Sequence, residues 1–213
     1  MLGWHFVGDG KRLRYGDNRS VRAGCTYRIK HNRSVALCLC GMHASKCIFD
    51  ALNYAPYTKK LYCCRVDVRG ELVTDSDKFA GRAREVLWLV DATNVLHEFS
   101  CRCAEDALAL VRKPDARSLR AISVKRAWLR GEASDGQLAA ARDAAGDAGP
   151  AGPAGAAWAA ARAAWNAWAA GGAAWNAWAA GGAARNAARA AAWAHQNRRL
   201  TSMIVAAHRN ADK

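Results

Sequence analysis

The 213 residues carry a formal net charge of +14, with 32 Lys and Arg against 18 Asp and Glu. That length suits one sizeable domain, or a domain of about 110 residues with a second unit. No apolar run of signal-peptide length opens the chain and Lys11, Arg12 and Arg14 come early, so a disulfide framework is not expected; the eight cysteines read as reduced thiols of a cytoplasmic protein.

In chain order, residues 1–79 read as strands and turns. Short apolar runs, Val35–Cys40 and Leu61–Val68, alternate with clusters of Gly, Asp, Asn and Ser. Between them, Ile48, Phe49, Ala51 and Leu52 fall at helical spacing within Ser45–Tyr54, and Pro56 ends that short helix. Val86–Val90 is a continuous apolar run, expected as a buried strand. Asp91 is placed to cap a helix whose apolar face is Val95, Leu96, Phe99, Cys103, Ala107, Leu108 and Val111, and which stops before Pro114. A second helix is expected from Asp115 to Arg130, ended by Gly131. A third opens with the capping-box pattern Ser134-x-x-Gln137.

The Pro/Gly/Ala stretch Gly146–Gly155, with Pro150 and Pro153, reads as a linker. Beyond it Ala163–Gly172 spells AAWNAWAAGG, Ala173–Gly182 repeats it letter for letter, and a degenerate copy follows with Arg185 and Arg189. Gly171, Gly172, Gly181 and Gly182 would cost a helix roughly 4 kcal/mol. A buried tryptophan contributes roughly 5 kcal/mol, so the tail is expected to be helical and packed. Its candidate interaction surface is Trp158, Trp165, Trp168, Trp175, Trp178, Arg185 and Arg189. Residues 163–184 are uncharged over a bilayer-spanning length, but Asn166, Asn176 and the four glycines weaken insertion, and no membrane is expected. Trp193, Asn197, Leu200, Ile204 and Ala207 form a core-facing helical stripe.

The expected architecture is α+β: a small, cysteine-rich, mixed α/β module over 1–90, a helical domain over 91–146, a linker over 147–155 and an Ala/Trp repeat tail over 156–213. The C-terminal part would be all-α. Residues 1–149 hold 25 basic and 17 acidic residues, and residues 150–213 hold seven basic residues and the one acid Asp212. Such a chain favours an anionic partner, a nucleic acid, an acidic protein or a membrane surface, or keeps a solvated surface.

The chain carries three resemblances. GWHFVGD at 3–9, Cys38-x-x-Gly41-Met42-His43-Ala44 and Asp50-Ala51-Leu52-x-Tyr54-Ala55-Pro56 resemble an uncharacterised family of phages, prophages and actinobacteria, as does the ending Gln196-Asn197-Arg198-Arg199-Leu200. Cys103-Ala104-Glu105 through Arg130-Gly131-Glu132, with the Ala-rich repeats, is similar to a helical immunity-protein domain. Where relatives carry Asp after the repeat tryptophan, this chain has Asn166, Asn176 and Asn186, which makes its tail cationic. The run from Gly41 through Tyr54 to Glu71 is similar to the core of ADP-ribosyltransferases. That resemblance implies His5 anchoring NAD, Tyr54 stacking on the nicotinamide and Glu71 as the acid. Here Phe6 follows His5 and Glu71 comes early, so no catalysis and at most weak NAD binding are expected.

Cys38, Cys40, His43 and Cys47 form a C-x-C-x2-H-x3-C set that offers zinc four ligands, but it lacks the C-x2-C spacing of a zinc knuckle. Buried small apolar cysteines without metal are the expectation. No phosphate-binding or hydrolase motif is present. The leading expectation is a non-enzymatic, phage- or mobile-element-borne protein that engages and neutralises a protein partner without a cofactor. An ADP-ribosyltransferase-like enzyme is the alternative, and a nucleic-acid-binding module stands third.

Overall fold

Five strands build one antiparallel sheet. The computed structural model describes residues 1–15, 17–29, 34–109, 113–146 and 193–211. Strand β1 (Leu2–Gly8) pairs with β4 (Leu61–Thr74), and β4 pairs with β5 (Phe79–Asp91). Two short strands, β2 (Thr26–Arg28) and β3 (Met42–Ala44), also pair with β5. Backbone hydrogen bonds Trp4 N→Ser45 O (2.8 Å) and Ser45 N→Trp4 O (3.0 Å) tie the residue after β3 back to β1. The path β1–β4–β5–β3 therefore closes on itself. Gly3 makes that closure possible, since an added Cβ would stand 2.6 Å from the Phe79 ring and 2.9 Å from Ala44 Cβ.

Two bulges let the long hairpin bend. Arg65 faces Trp88 while Val66 faces Val86, so Leu87 is extra and turns outward. Arg69 faces Ala83 while Leu72 faces Gly81, so β4 carries the extra residue there, with Gly70 at φ +86. Val7, Met42, Ala44, Cys64, Val66, Val68, Phe79 and Val86 fill the inner face, closed by Leu13, Val21 and Tyr27. On the other face a cross-strand row of Trp4, Arg65 and Trp88 forms an aromatic strip. The two indoles meet edge-on at 5.7 Å, and His208 stacks on Trp88 at 4.3 Å.

The expected small mixed α/β module followed by an all-α region is overturned. Every described strand pair is antiparallel, the strands run from residue 2 to residue 91 with one short helix among them, and the longer helices follow. The error has a physical source in β5. Its first half, Phe79–Glu85, carries Arg82, Arg84 and Glu85 and hides a strand that shows in the sequence only from Val86. Val35–Cys40 is likewise no strand. Ala36 and Cys40 bond each other across a turn in which Cys38 takes φ +64.

The short helix α1 (Ile48–Ala51) runs into a 3-10 turn, Leu52–Tyr54. Helices α2 (Thr93–Ala109), α3 (Ala116–Leu129) and α4 (Asp135–Gly146) follow the sheet. Asp91 is the last residue of β5, and α2 opens two residues later at Thr93. Asp115 caps α3 through the Arg117 amide (2.8 Å), and Gly131 follows it at φ +77. Ser134 Oγ accepts from Gln137 N (3.2 Å) while Gln137 Oε1 accepts from Ser134 N (2.8 Å), a complete capping box. A last helix, α5, covers residues 193–211 and buries Gln196, Leu200 and Ile204. Contacts divide the chain into Met1–Ala92 with Thr201–Lys213, the sheet unit, and Thr93–Leu200, the helical unit.

Candidate functional site

His5 faces Cys64 across the β1–β4 ladder, and Arg84 faces Val68 and Tyr27 in the ladders on either side of β5. Directly opposed residues project from the same face. Cys64, Val68 and Tyr27 belong to the inner core, so His5 and Arg84 point inward too. Arg84 is only 3% exposed. Its Nη1 donates to the His43 carbonyl at 2.7 Å, and its Nε has no partner. Burial draws its pKa down to about 10, which leaves the guanidinium charged at neutral pH.

Little near Arg84 balances that charge. Burial pushes the Cys64 thiol up to about 12 and also raises the Tyr27 phenol, so both stay protonated at neutral pH. Asp17, the carboxylate that acts on Arg84, is clasped by Arg19 through Nε and Nη2 at 2.6 and 2.7 Å. His5 is held well below the ordinary histidine pKa by burial, then by the charges of Arg84, Arg14 and His43. It nevertheless keeps partial solvent access. His43 is committed to the backbone: Nε2 accepts from the Cys38 amide at 3.1 Å, and the ring also bonds at Gly41.

Four loops are tied together beside these groups. Arg14 Nη1 donates to the Tyr54 carbonyl at 2.9 Å, and the Lys60 amide donates to the Asp9 carboxylate. The Tyr54 hydroxyl donates to Asp77 and accepts from Lys78 Nζ at 3.1 Å. Lys78 also hydrogen-bonds Cys38, and its pKa is raised chiefly by the Tyr54 contact. Burial, then Asp77, raises the Tyr54 phenol. From these loops Tyr15, Leu39 and Tyr57 stand 94%, 87% and 71% exposed.

The helical unit has its own polar centre. Lys125 on α3 is 1% exposed, and its Nζ lies 3.8 Å above the Trp128 ring without a hydrogen-bond partner. Burial lowers its pKa to about 8. His97 on α2 meets Trp128 edge-on at 5.9 Å, and burial, then the Lys125 charge, lowers it to about 3. The Trp128 indole donates to Asp135 at 2.7 Å. Elsewhere in this unit Arg126 is held by two carboxylates, with 3.0 Å contacts to Glu98 and a close pair to Glu105.

The sequence-expected residues are dispersed. His5 lies on the inner face of β1 opposite Cys64, and Tyr54 sits among the joined loops, its carbonyl on Arg14. Glu71 lies in the β4 bulge, paired to Arg82 at 3.1 Å, and is not among the groups acting on His5 or Tyr54. Cys38, Cys40, His43 and Cys47 are free thiols and a backbone-bonded imidazole; no group of three or more potential ligands that could hold a metal ion occurs among the described residues. Trp158, Trp165, Trp168, Trp175, Trp178, Arg185 and Arg189 lie outside the described residues, as does the uncharged run 163–184. No described helix is long and apolar enough to cross a membrane. The sequence reading missed Arg84 and Lys125. Lys125 had a signal, because it stands three residues after Ile122 on the apolar side of α3.

Comparison with curated proteins and with solved structures finds no match. The resemblance to an uncharacterised family holds in one coarse form: residues 20–98, from the segment before β2 to the first turns of α2, are similar to a family described as "Domain of unknown function (DUF7666)".

Proposed function

We propose that this chain is a non-enzymatic binding protein whose joined loops engage an acidic partner protein. The observation that carries this reading is the outward display of Tyr15, Leu39 and Tyr57 from loops that hydrogen bonds hold together. Single exposed apolar side chains need no explanation, but a set borne on linked loops supports an interface. Lys11, Arg12, Arg14, Lys59 and Lys60 stand on the same loops and favour an acidic surface. Tyrosine and arginine are also the side chains that dominate interface energies. The phage-family and immunity-domain resemblances fit a role in capturing and neutralising another protein. Transfer chemistry is not favoured, because Glu71 is engaged by Arg82 away from His5 and Tyr54.

The test is affinity capture with the full chain and with a Tyr15→Ser, Leu39→Ser, Tyr57→Ser variant of unchanged melting temperature. The wild type should retain an acidic protein that the variant loses. Equal retention by both would overturn the reading, as would nuclease-sensitive material in place of protein. Labelled NAD yielding a product that disappears in both Tyr54→Ala and Glu71→Gln would establish the enzymatic alternative instead.

A further inference from the structure

Residues 11–15 and 17–21 run back on each other and are braced at the base. Leu13 and Val21 are buried in the inner core. Leu13 N donates to the Arg19 carbonyl at 2.9 Å, Val21 N donates to the Lys11 carbonyl at 2.6 Å, and Arg12 bridges Ser20. Asp17, clasped by Arg19, donates its amide to the Arg14 carbonyl at 3.4 Å, so the chain reverses at Tyr15. Tyr15 makes that reversal with φ +59, a left-handed backbone that hairpin turns ordinarily give to Gly, Asn or Asp. A bulky side chain is strained there. Burial does not compensate for the strain: the ring is 94% exposed, with the Arg14 guanidinium 5.0 Å from its centroid. The cations around it are held by neutral groups. Lys11 Nζ lies 4.2 Å from the Tyr62 ring centroid, Arg12 donates to the Asn18 carbonyl at 2.9 Å, and Arg14 donates to the Tyr54 carbonyl at 2.9 Å. Those contacts fix the three side chains and leave their charges unneutralised.

We infer that Tyr15 is the anchor of the loop interface, with Arg14 as its charged flank, and that the partner protein offers an apolar pocket rimmed by carboxylates. This rests on the reading of the joined loops as a protein-binding surface. A ring held outside a braced hairpin is in place before contact, so little ordering cost remains at binding. Tyrosine and arginine are the side chains on which interface energy concentrates. The Tyr54 carbonyl takes only one nitrogen of Arg14, which leaves the fork with donors for a carboxylate at the pocket rim. Leu39 and Tyr57 are exposed without that backbone strain and act as surrounding contacts.

The deciding variant is Tyr15→Asn, which turns the tip into Asn-Gly, a preferred hairpin pair. In the free chain its melting temperature should rise by about 2–4 °C. The acidic protein retained by the full chain is then purified and titrated by calorimetry against each variant. Tyr15→Asn should weaken binding at least about thirtyfold and Arg14→Gln about tenfold, while Leu39→Ser and Tyr57→Ser each cost less than about fivefold. An unchanged or lowered melting temperature in Tyr15→Asn would overturn the inference. So would unchanged affinity in Arg14→Gln, or a loss in Leu39→Ser or Tyr57→Ser as large as in Tyr15→Asn. Each of these results leaves the loop interface standing without this anchor. Retention of no acidic protein by the wild type removes the interface and the anchor together.

Discussion

Each unit of this protein buries a cation whose nitrogen lacks a hydrogen-bond partner, Arg84 in the sheet unit and Lys125 in the helical unit. The two meet the same cost differently. Lys125 sits over the Trp128 ring, and its pKa falls to about 8, close enough to neutrality for the amine to lose its charge in mild alkali. Arg84, drawn down only to about 10, stays charged, with Nη1 on the His43 carbonyl and no partner on Nε. An amine can be neutralised where it stands, whereas a guanidinium has to be neutralised by something else. That contrast makes the sheet unit the place to look for a ligand and the helical unit the place to look for pH-dependent stability.

The largest effect expected from this contrast is acid sensitivity through His97. Burial and Lys125 lower its pKa to about 3, below the ordinary value of 6.5. Between those values the unfolded chain binds a proton that the folded chain does not. His97 therefore adds stability that is complete above about pH 6.5 and drains away as pH falls toward 3, on the order of 5 kcal/mol in all. Urea midpoints measured across that window should fall less steeply for His97→Gln than for the wild type. Parallel curves would break the picture of a neutral buried imidazole.

Next in size is Lys125→Met. Burying the amine costs roughly 3 kcal/mol by its displacement from 10.5 to about 8. The indole returns up to about 2 kcal/mol of that as a cation–π contact. Methionine should therefore stabilise the chain by about 1 kcal/mol below pH 8, and the gain should fade as pH rises toward 10.5, where the wild-type amine is neutral in both states. Thermal melts at pH 7 and pH 10 read this directly. The same variant should raise the pKa of His97, because one of the charges depressing it is gone.

How much of this was legible in the sequence depends on how local the determinant is. Ser134, Gln137, Asp115 and Gly131 act within a few residues of themselves, and the structure uses each as its chemistry suggests. The first half of β5 was illegible, because Arg82, Arg84 and Glu85 look like solvated charge until register with β4 and β2 turns Arg84 inward. Val35–Cys40 misled in the opposite way, since apolar content says nothing of the positive φ that folds Cys38 into a turn. The charges acting on buried His5 were illegible for the same reason, since they come from a loop and from β5, at sequence positions 14 and 84. Gln196 shows the same limit on a smaller scale: the α5 stripe was read through Asn197, but the residue fully buried is its neighbour.

The smallest expected effect comes from a cation that does have carboxylate partners, Arg126. Arg126 touches Glu98 at 3.0 Å through Nε and Nη2 and pairs with Glu105 through Nη1, all within the helical unit. Its pKa is raised, chiefly by Glu105 and then Glu98, and the Glu98 carboxyl is held below its ordinary value despite an opposing effect of burial. These side chains are 28% to 44% exposed, so solvent and salt weaken the attraction that the geometry suggests. A double-mutant cycle of Arg126→Gln with Glu98→Gln should give a coupling of only about 0.5–1 kcal/mol at low salt, shrinking further toward 1 M. Lysine at 126 should recover little of it, because a point charge cannot bridge two carboxylates with a planar fork. A salt-independent coupling of several kcal/mol would mean that paired and unpaired cations differ less in this fold than Arg84 and Lys125 imply.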